Sequence, residues 1–120
     1  MQKIVVVSAS YSQLLMVEVL LQSDYSVAIL ATAQQLDAEL KAGKPDLILM
    51  DVTLPGKNGF EACRDIKTND RFRQMPVILC LDIDRESDKF WAKQQGASGT
   101  LVKPLNKEDL LAMVKHNLPP

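Results

Sequence analysis

Two side chains have the type and placement to do chemistry together: Asp51, which ends the apolar run Leu47-Ile48-Leu49-Met50, and Lys103, which follows Gly99 to Val102 and precedes Pro104. A carboxylate is a nucleophile, a base or a cation ligand, and an ammonium group beside it binds phosphoryl oxygens or forms a salt bridge with it. The Lys103-Pro104 bond is a candidate cis peptide, because cis bonds belong almost entirely to X-Pro pairs in tight turns. Such a bond would aim the lysine back over the loop edge. Taken singly, an aspartate at a strand end more often caps the loop behind it. Its company with a lysine from another strand is what gives the edge chemical content.

The elements that must position these groups follow from local pattern. Leu47 to Met50, bounded by Pro45 and Asp51, is uniformly apolar, as expected of a strand buried on both faces of a parallel sheet. A loop with Pro55, Gly56, Asn58 and Gly59 follows, then helical spacing at Phe60, Cys63 and Ile66/Lys67. Upstream, Lys3 to Val7 reads as a first strand, and Ser8-Ala9-Ser10-Tyr11-Ser12 leads into a helix carried by Leu14, Leu15, Val17, Val19, Leu20 and Leu21 to about Gln22. Tyr25 to Ala31 is a second strand. Thr32 is an N-cap for a helix striped by Leu36 and Leu40 and stopped at Gly43. Downstream, Thr68 to Met75 is turn-like, and Pro76 opens a strand from Val77 to Leu81. Asp84 or Ser87 is expected to cap a fourth helix to Gln95, with Gly96 just past its end. Gly99 to Val102 is a fifth strand, and Asn106 with Asp109 starts the last helix, which Pro119-Pro120 ends. Five strand–helix alternations predict an α/β fold, a parallel sheet with helices on both faces. Ser8, Ala9, Thr32, Asp51, Leu81, Asp82 and Lys103 then share the rim at the strands' carboxyl ends, where such folds bind ligands.

Composition narrows the function classes. A chain of 120 residues is expected to be one domain, 1–120, burying roughly two-thirds of its unfolded surface. Fourteen basic against 15 acidic residues, without a block of one sign, give no electrostatic reason for nucleic acid or anionic membrane as a direct partner. The N-terminal apolar run is too short for a signal or a membrane span, so the expected compartment is the cytoplasm. Cys63 and Cys80 fit no ligand spacing and read as reduced core residues, and the sole histidine, His116, reads as a solvated group near the C-terminus. No P-loop, nucleophile elbow or metal-ligand cluster is present, so an enzyme is not expected.

The whole chain resembles the receiver domains of two-component response regulators. The likeness rests on the five-strand alternation, the LILMD-x-x-L-P-x-x-x-G segment from Leu47 to Gly59, Pro76, Gly96-Ala97, and Val102-Lys103-Pro104. It implies a doubly wound, flavodoxin-like sheet in strand order 2-1-3-4-5. Asp51 would be the phosphoacceptor, Lys103 the phosphate-contacting lysine, and the Thr53 backbone carbonyl a Mg²⁺ ligand. A histidine kinase or phosphotransfer protein would be the partner.

The departures carry as much information. The family's acidic pair falls at Ser8 and Ala9, its strand-four hydroxyl at Leu81, and its switch aromatic at Thr100. Phosphoryl transfer depends on positioning and on Mg²⁺, which favours sites with one or two carboxylates. One carboxylate facing one ammonium gives such an ion little hold. Asp82 is a weak substitute ligand and reads first as a loop residue. Leu81 and Thr100 also remove the usual relay from pocket to outer face. Two readings follow: a receiver phosphorylated on Asp51, or a pseudo-receiver that works as an interaction or dimerisation module without phosphorylation. A remote third, a flavodoxin-like FMN binder, rests on the hydroxyl-rich loop after the first strand. Phe90 and Trp91 adjoin on the proposed fourth helix. The bland expectation packs one of them, and the sharper one has the outward ring anchoring a partner or a homodimer through the family's helix 4–strand 5–helix 5 face.

Overall fold

The computed structural model describes residues 1–119. Its elements are β1 (Lys3–Val7), α1 (Tyr11–Leu21), β2 (Ser26–Leu30), α2 (Ala33–Ala42), β3 (Leu47–Asp51), α3 (Gly59–Lys67), β4 (Val77–Leu81), α4 (Glu86–Gln94), β5 (Gly99–Val102) and α5 (Lys107–Asn117). The strands form one parallel sheet in the order β2-β1-β3-β4-β5, as expected. Every residue of β3 and β4 is buried, which is why both read as unbroken apolar runs. Edge strand β2 is shorter than the expected Tyr25 to Ala31 and keeps partial exposure along its length.

Strand side chains alternate between two cores. Val5, Val7, Ile48, Met50, Val77, Leu79 and Leu81 pack with residues of α2, α3 and α4. Ile4, Val6, Leu47, Leu49, Ile78, Cys80 and Leu101 pack with α1 and α5. This two-residue alternation is a direct consequence of strand geometry. Of the apolar residues that announced α1, only Leu14, Val17 and Leu21 are buried, whereas Leu15 and Val19 face solvent. Among the described residues, no helix is long and apolar enough to cross a membrane.

Helix starts largely follow capping chemistry. Thr32 accepts from the Gln35 amide at 3.1 Å, Asn58 from Glu61 at 2.9 Å, and Asn106 from Asp109 at 3.1 Å. The fourth helix corrects the sequence expectation. Its N-cap is Arg85, without a side-chain cap, and neither Asp84 nor Ser87 serves. The Asp84 carboxylate is drawn to Lys89 at 2.6 Å instead, and Ser87 lies inside the helix. Gly96 does follow this helix with φ +93°, a conformation that favours glycine.

Candidate functional site

The site is built on the end of β3. Asp51 pairs in register with Cys80, and the Val52 amide donates to the Cys80 carbonyl at 3.1 Å, so the aspartate stands at the limit of the central ladder. Gly59 opens α3 against its back, with its amide 2.8 Å from the Val52 carbonyl. A Cβ there would lie 2.8 Å from Val52 Cα and inside the contact distance of the Asp51 carbonyl oxygen. The absent side chain is what lets helix and strand end approach so closely.

Asp51 is 2% exposed, yet both carboxylate oxygens are engaged. Oδ2 accepts from the Ser8 hydroxyl at 2.6 Å and lies 2.9 Å from Lys103 Nζ. Oδ1 accepts from Gln13 Nε2 at 2.8 Å. Gln13 Nε2 also lies 3.2 Å from Ser8 Oγ, which accepts from the Ser10 amide at 3.1 Å. Lys103 reaches the rim from β5, its amide donating to the Leu81 carbonyl at 2.9 Å, and its peptide to Pro104 is cis. The same ammonium group meets Asp82 Oδ1 at 3.0 Å, and the second Asp82 oxygen accepts from the Thr53 hydroxyl. One polar chain therefore runs from Ser8 and Gln13 through Asp51, Lys103 and Asp82 to Thr53.

Electrostatics follow from these contacts. Partial burial pulls the Lys103 pKa down, but its hydrogen bonds to Asp51 and Asp82 outweigh this and leave it above its ordinary 10.5. The Thr53 hydroxyl holds Asp82 below its ordinary 3.8 against slight burial, with Lys103 assisting. Cys80, beneath the rim, is pushed well above the ordinary thiol range by burial, with Asp51 adding to the shift. Burial raises Cys63 to about 11.

The structure gathers Asp51, Lys103, Ser8, Asp82 and Thr53, and leaves the other singled-out positions outside the polar chain. Ala9 is exposed and Leu81 is a buried apolar wall. Thr100 lines a groove of about 720 Å³ with Asp84, Val102, Asp109, Met113 and His116, between β5 and α5. Phe90 and Trp91 on α4 are 63% and 50% exposed, so neither ring is packed away. Since α4 buries only Ala92, its core-facing stripe is too narrow for either of two neighbours 100° apart.

Gln13 escaped sequence reasoning, and its disguise is a helix cap. Ser10-Tyr11-Ser12-Gln13 fits the S-x-x-Q capping box. Only half of the box forms. Ser10 Oγ accepts from the Gln13 amide at 3.3 Å, but the Ser10 amide bonds Ser8, which frees the Gln13 carboxamide for Asp51.

These residues do not fit a conventional Mg²⁺ site. The ion wants oxygen lone pairs and compensating negative charge. Here the lone pairs of Asp51 face three hydrogen donors, Ser8 contributes a hydrogen, and Asp82 is held by Lys103 and Thr53. Among the described residues, no group of three or more His, Cys, Asp or Glu side chains is placed to hold a metal ion.

Comparison with known proteins agrees with the fold. Protein PilH of Pseudomonas aeruginosa is 44% identical over 71 residues, 59% of this chain and 59% of that protein, so the aligned stretch covers less than two-thirds of the relative. The chemotaxis response regulator CheY4 of Vibrio cholerae superposes with a TM-score of 0.92 at 30% identity, covering 98% of this chain and 99% of that one. The Mn²⁺-bound form of response regulator Rcp1 superposes at 0.82 with 26% identity and full coverage of both chains. The family model for the response regulator receiver domain matches residues 4–115, and the chain belongs to that family.

Proposed function

We propose that this receiver domain works in two-component signalling as a protein-interaction module that needs no phosphorylation of Asp51. One observation carries the reading: the carboxylate that would accept the phosphoryl group already has both oxygens engaged by Ser8, Gln13 and Lys103. A nucleophilic oxygen must be free to attack and must be screened from the incoming charge, and this pocket supplies a single ammonium for that purpose. On this reading the domain is a binding partner of other signalling proteins, such as a histidine kinase or phosphotransfer protein, in the cytoplasm. It is not an enzyme, and the FMN alternative is set aside in favour of the family's signalling role. The contact surface is the α4–β5–α5 face, where Phe90 and Trp91 offer exposed aromatic area on α4 and Thr100 lines a groove between β5 and α5, and a homodimer is one use of it.

Intact mass after incubation with a small phosphodonor and Mg²⁺, beside Asp51→Asn, tests the proposal. No adduct on either protein is the expected result. A single phosphoryl adduct confined to the wild type would overturn it and restore the phosphorylated receiver.

A further inference from the structure

We propose that Gln13 is the built-in counter-group of Asp51, closing the pocket against a divalent cation. The inference deepens the preceding reading and rests on it, by naming the residue responsible for the misfit with Mg²⁺.

Every hydrogen facing Asp51 has an acceptor. Ser8 Oγ is fully buried and accepts from the Ser10 amide, with Gln13 Nε2 also within reach at 3.2 Å. Its own single proton is thereby directed at Asp51 Oδ2, 2.6 Å away. The Gln13 amide carries two N–H groups, which matches its two neighbours, Asp51 Oδ1 and Ser8 Oγ. The reverse orientation of the carboxamide would set an amide oxygen against a carboxylate oxygen at 2.8 Å, so the geometry selects the nitrogen. Lys103 completes the set from the opposite side. Asp51, Asp82 and Lys103 sum to a formal charge of −1 (−1 −1 +1), a weak pull on a divalent ion. Among the described residues, no buried side-chain polar atom is left without a partner. A cation entering beside Oδ1 would have to displace the Gln13 amide, stranding it and removing a contact to Ser8. Serine and glutamine together do with hydrogens what a metal would do with charge. Glutamine suits the position because it is neutral and long enough to reach across from the first turn of α1, whereas glutamate would set a like charge against Asp51.

The test is Mg²⁺ titration calorimetry on the wild type, Ala9→Asp, and Ala9→Asp/Gln13→Met. Ala9 is exposed, so the added carboxylate is tolerated, and methionine keeps the length of glutamine without its donors. Expected are no heat of binding for the wild type at millimolar Mg²⁺, weak binding by Ala9→Asp, and binding about tenfold tighter still by the double variant, the scale of one hydrogen bond. A general packing role for Gln13 would leave the two variants equal, and a ligand role would make the double variant weaker; either overturns the proposal, as does absence of binding in both. A second readout needs no variant. The Gln13 side-chain amide resonances of the wild type should stay in place on Mg²⁺ addition, and their movement would overturn the idea. These outcomes are separate from the phosphodonor test, because an adduct on Asp51 would leave the order of the variants' Mg²⁺ affinities unchanged.

Discussion

The rim around Asp51 and the face formed by α4, β5 and α5 direct their side chains in opposite ways. At the rim the side chains turn inward. Ser8 and Gln13 hold Asp51, Lys103 bridges it to Asp82, and Thr53 ends the chain. On the face the side chains stay open to solvent. Thr100 lines an open groove between β5 and α5, and Phe90 and Trp91 on α4 stand exposed. The difference follows from burial. A buried carboxylate must find partners or be lost, because an unsatisfied buried polar group costs about 1–3 kcal/mol. A surface position carries no such penalty, so it remains free to present apolar area to a partner.

Substitutions at the rim should therefore cost far more stability than substitutions on the face. Asp51→Ala strands the Ser8 and Gln13 donors and leaves Lys103 with Asp82 alone, so urea unfolding should show a loss of about 3 kcal/mol. A loss below ~1 kcal/mol would mean that the network does not hold the fold. Gly59→Ala should cost about 2 kcal/mol by pushing α3 off the end of β3, with backbone amide shifts centred on Asp51 and Val52. Unmoved amides there would show that the close approach is readily relaxed.

The pH limits sharpen the comparison further. The Lys103 pKa is raised above 10.5 in the folded state, so its contribution is complete below 10.5 and is lost as pH climbs through the folded value. Asp82 is lowered below 3.8, so its contribution is present above 3.8 and is lost as pH falls through its folded value. Lys103→Met should flatten the alkaline limb of a stability profile, and Asp82→Asn the acid limb. Both effects should shrink in high salt, because Asp82 is 44% exposed. The smallest effect on stability belongs to Trp91→Ala, within about 0.5 kcal/mol, while association with a partner or second copy measured by calorimetry or sedimentation should fall. Unchanged association would remove the α4 face from the account and break the contrast.

Much of this architecture is legible in the sequence. The β-branched and apolar runs of β1, β3 and β4, the glycines after α2 and α4, and the caps at Thr32 and Asn106 are local signals, and local signals placed every strand and helix. Errors gathered where a side chain had a choice of partner. Asp84 looked like a cap and went to Lys89. Gln13, which carries no signal of its own in the sequence reading, goes to Asp51. Phe90 and Trp91 were expected to divide between core and surface, and both lie outside.

Sequence alone determined the α/β order, the delivery of Asp51 and Lys103 to one rim, and the uncharged Ser8 and Ala9 after the first strand, because these depend on residue type and on spacing within single elements. Tertiary structure alone decided what Asp51 touches. Ser8 lies 43 positions from Asp51 along the chain and Gln13 lies 38 away, and only the register of β1 against β3, with α1 packed over them, brings their hydrogens to one carboxylate.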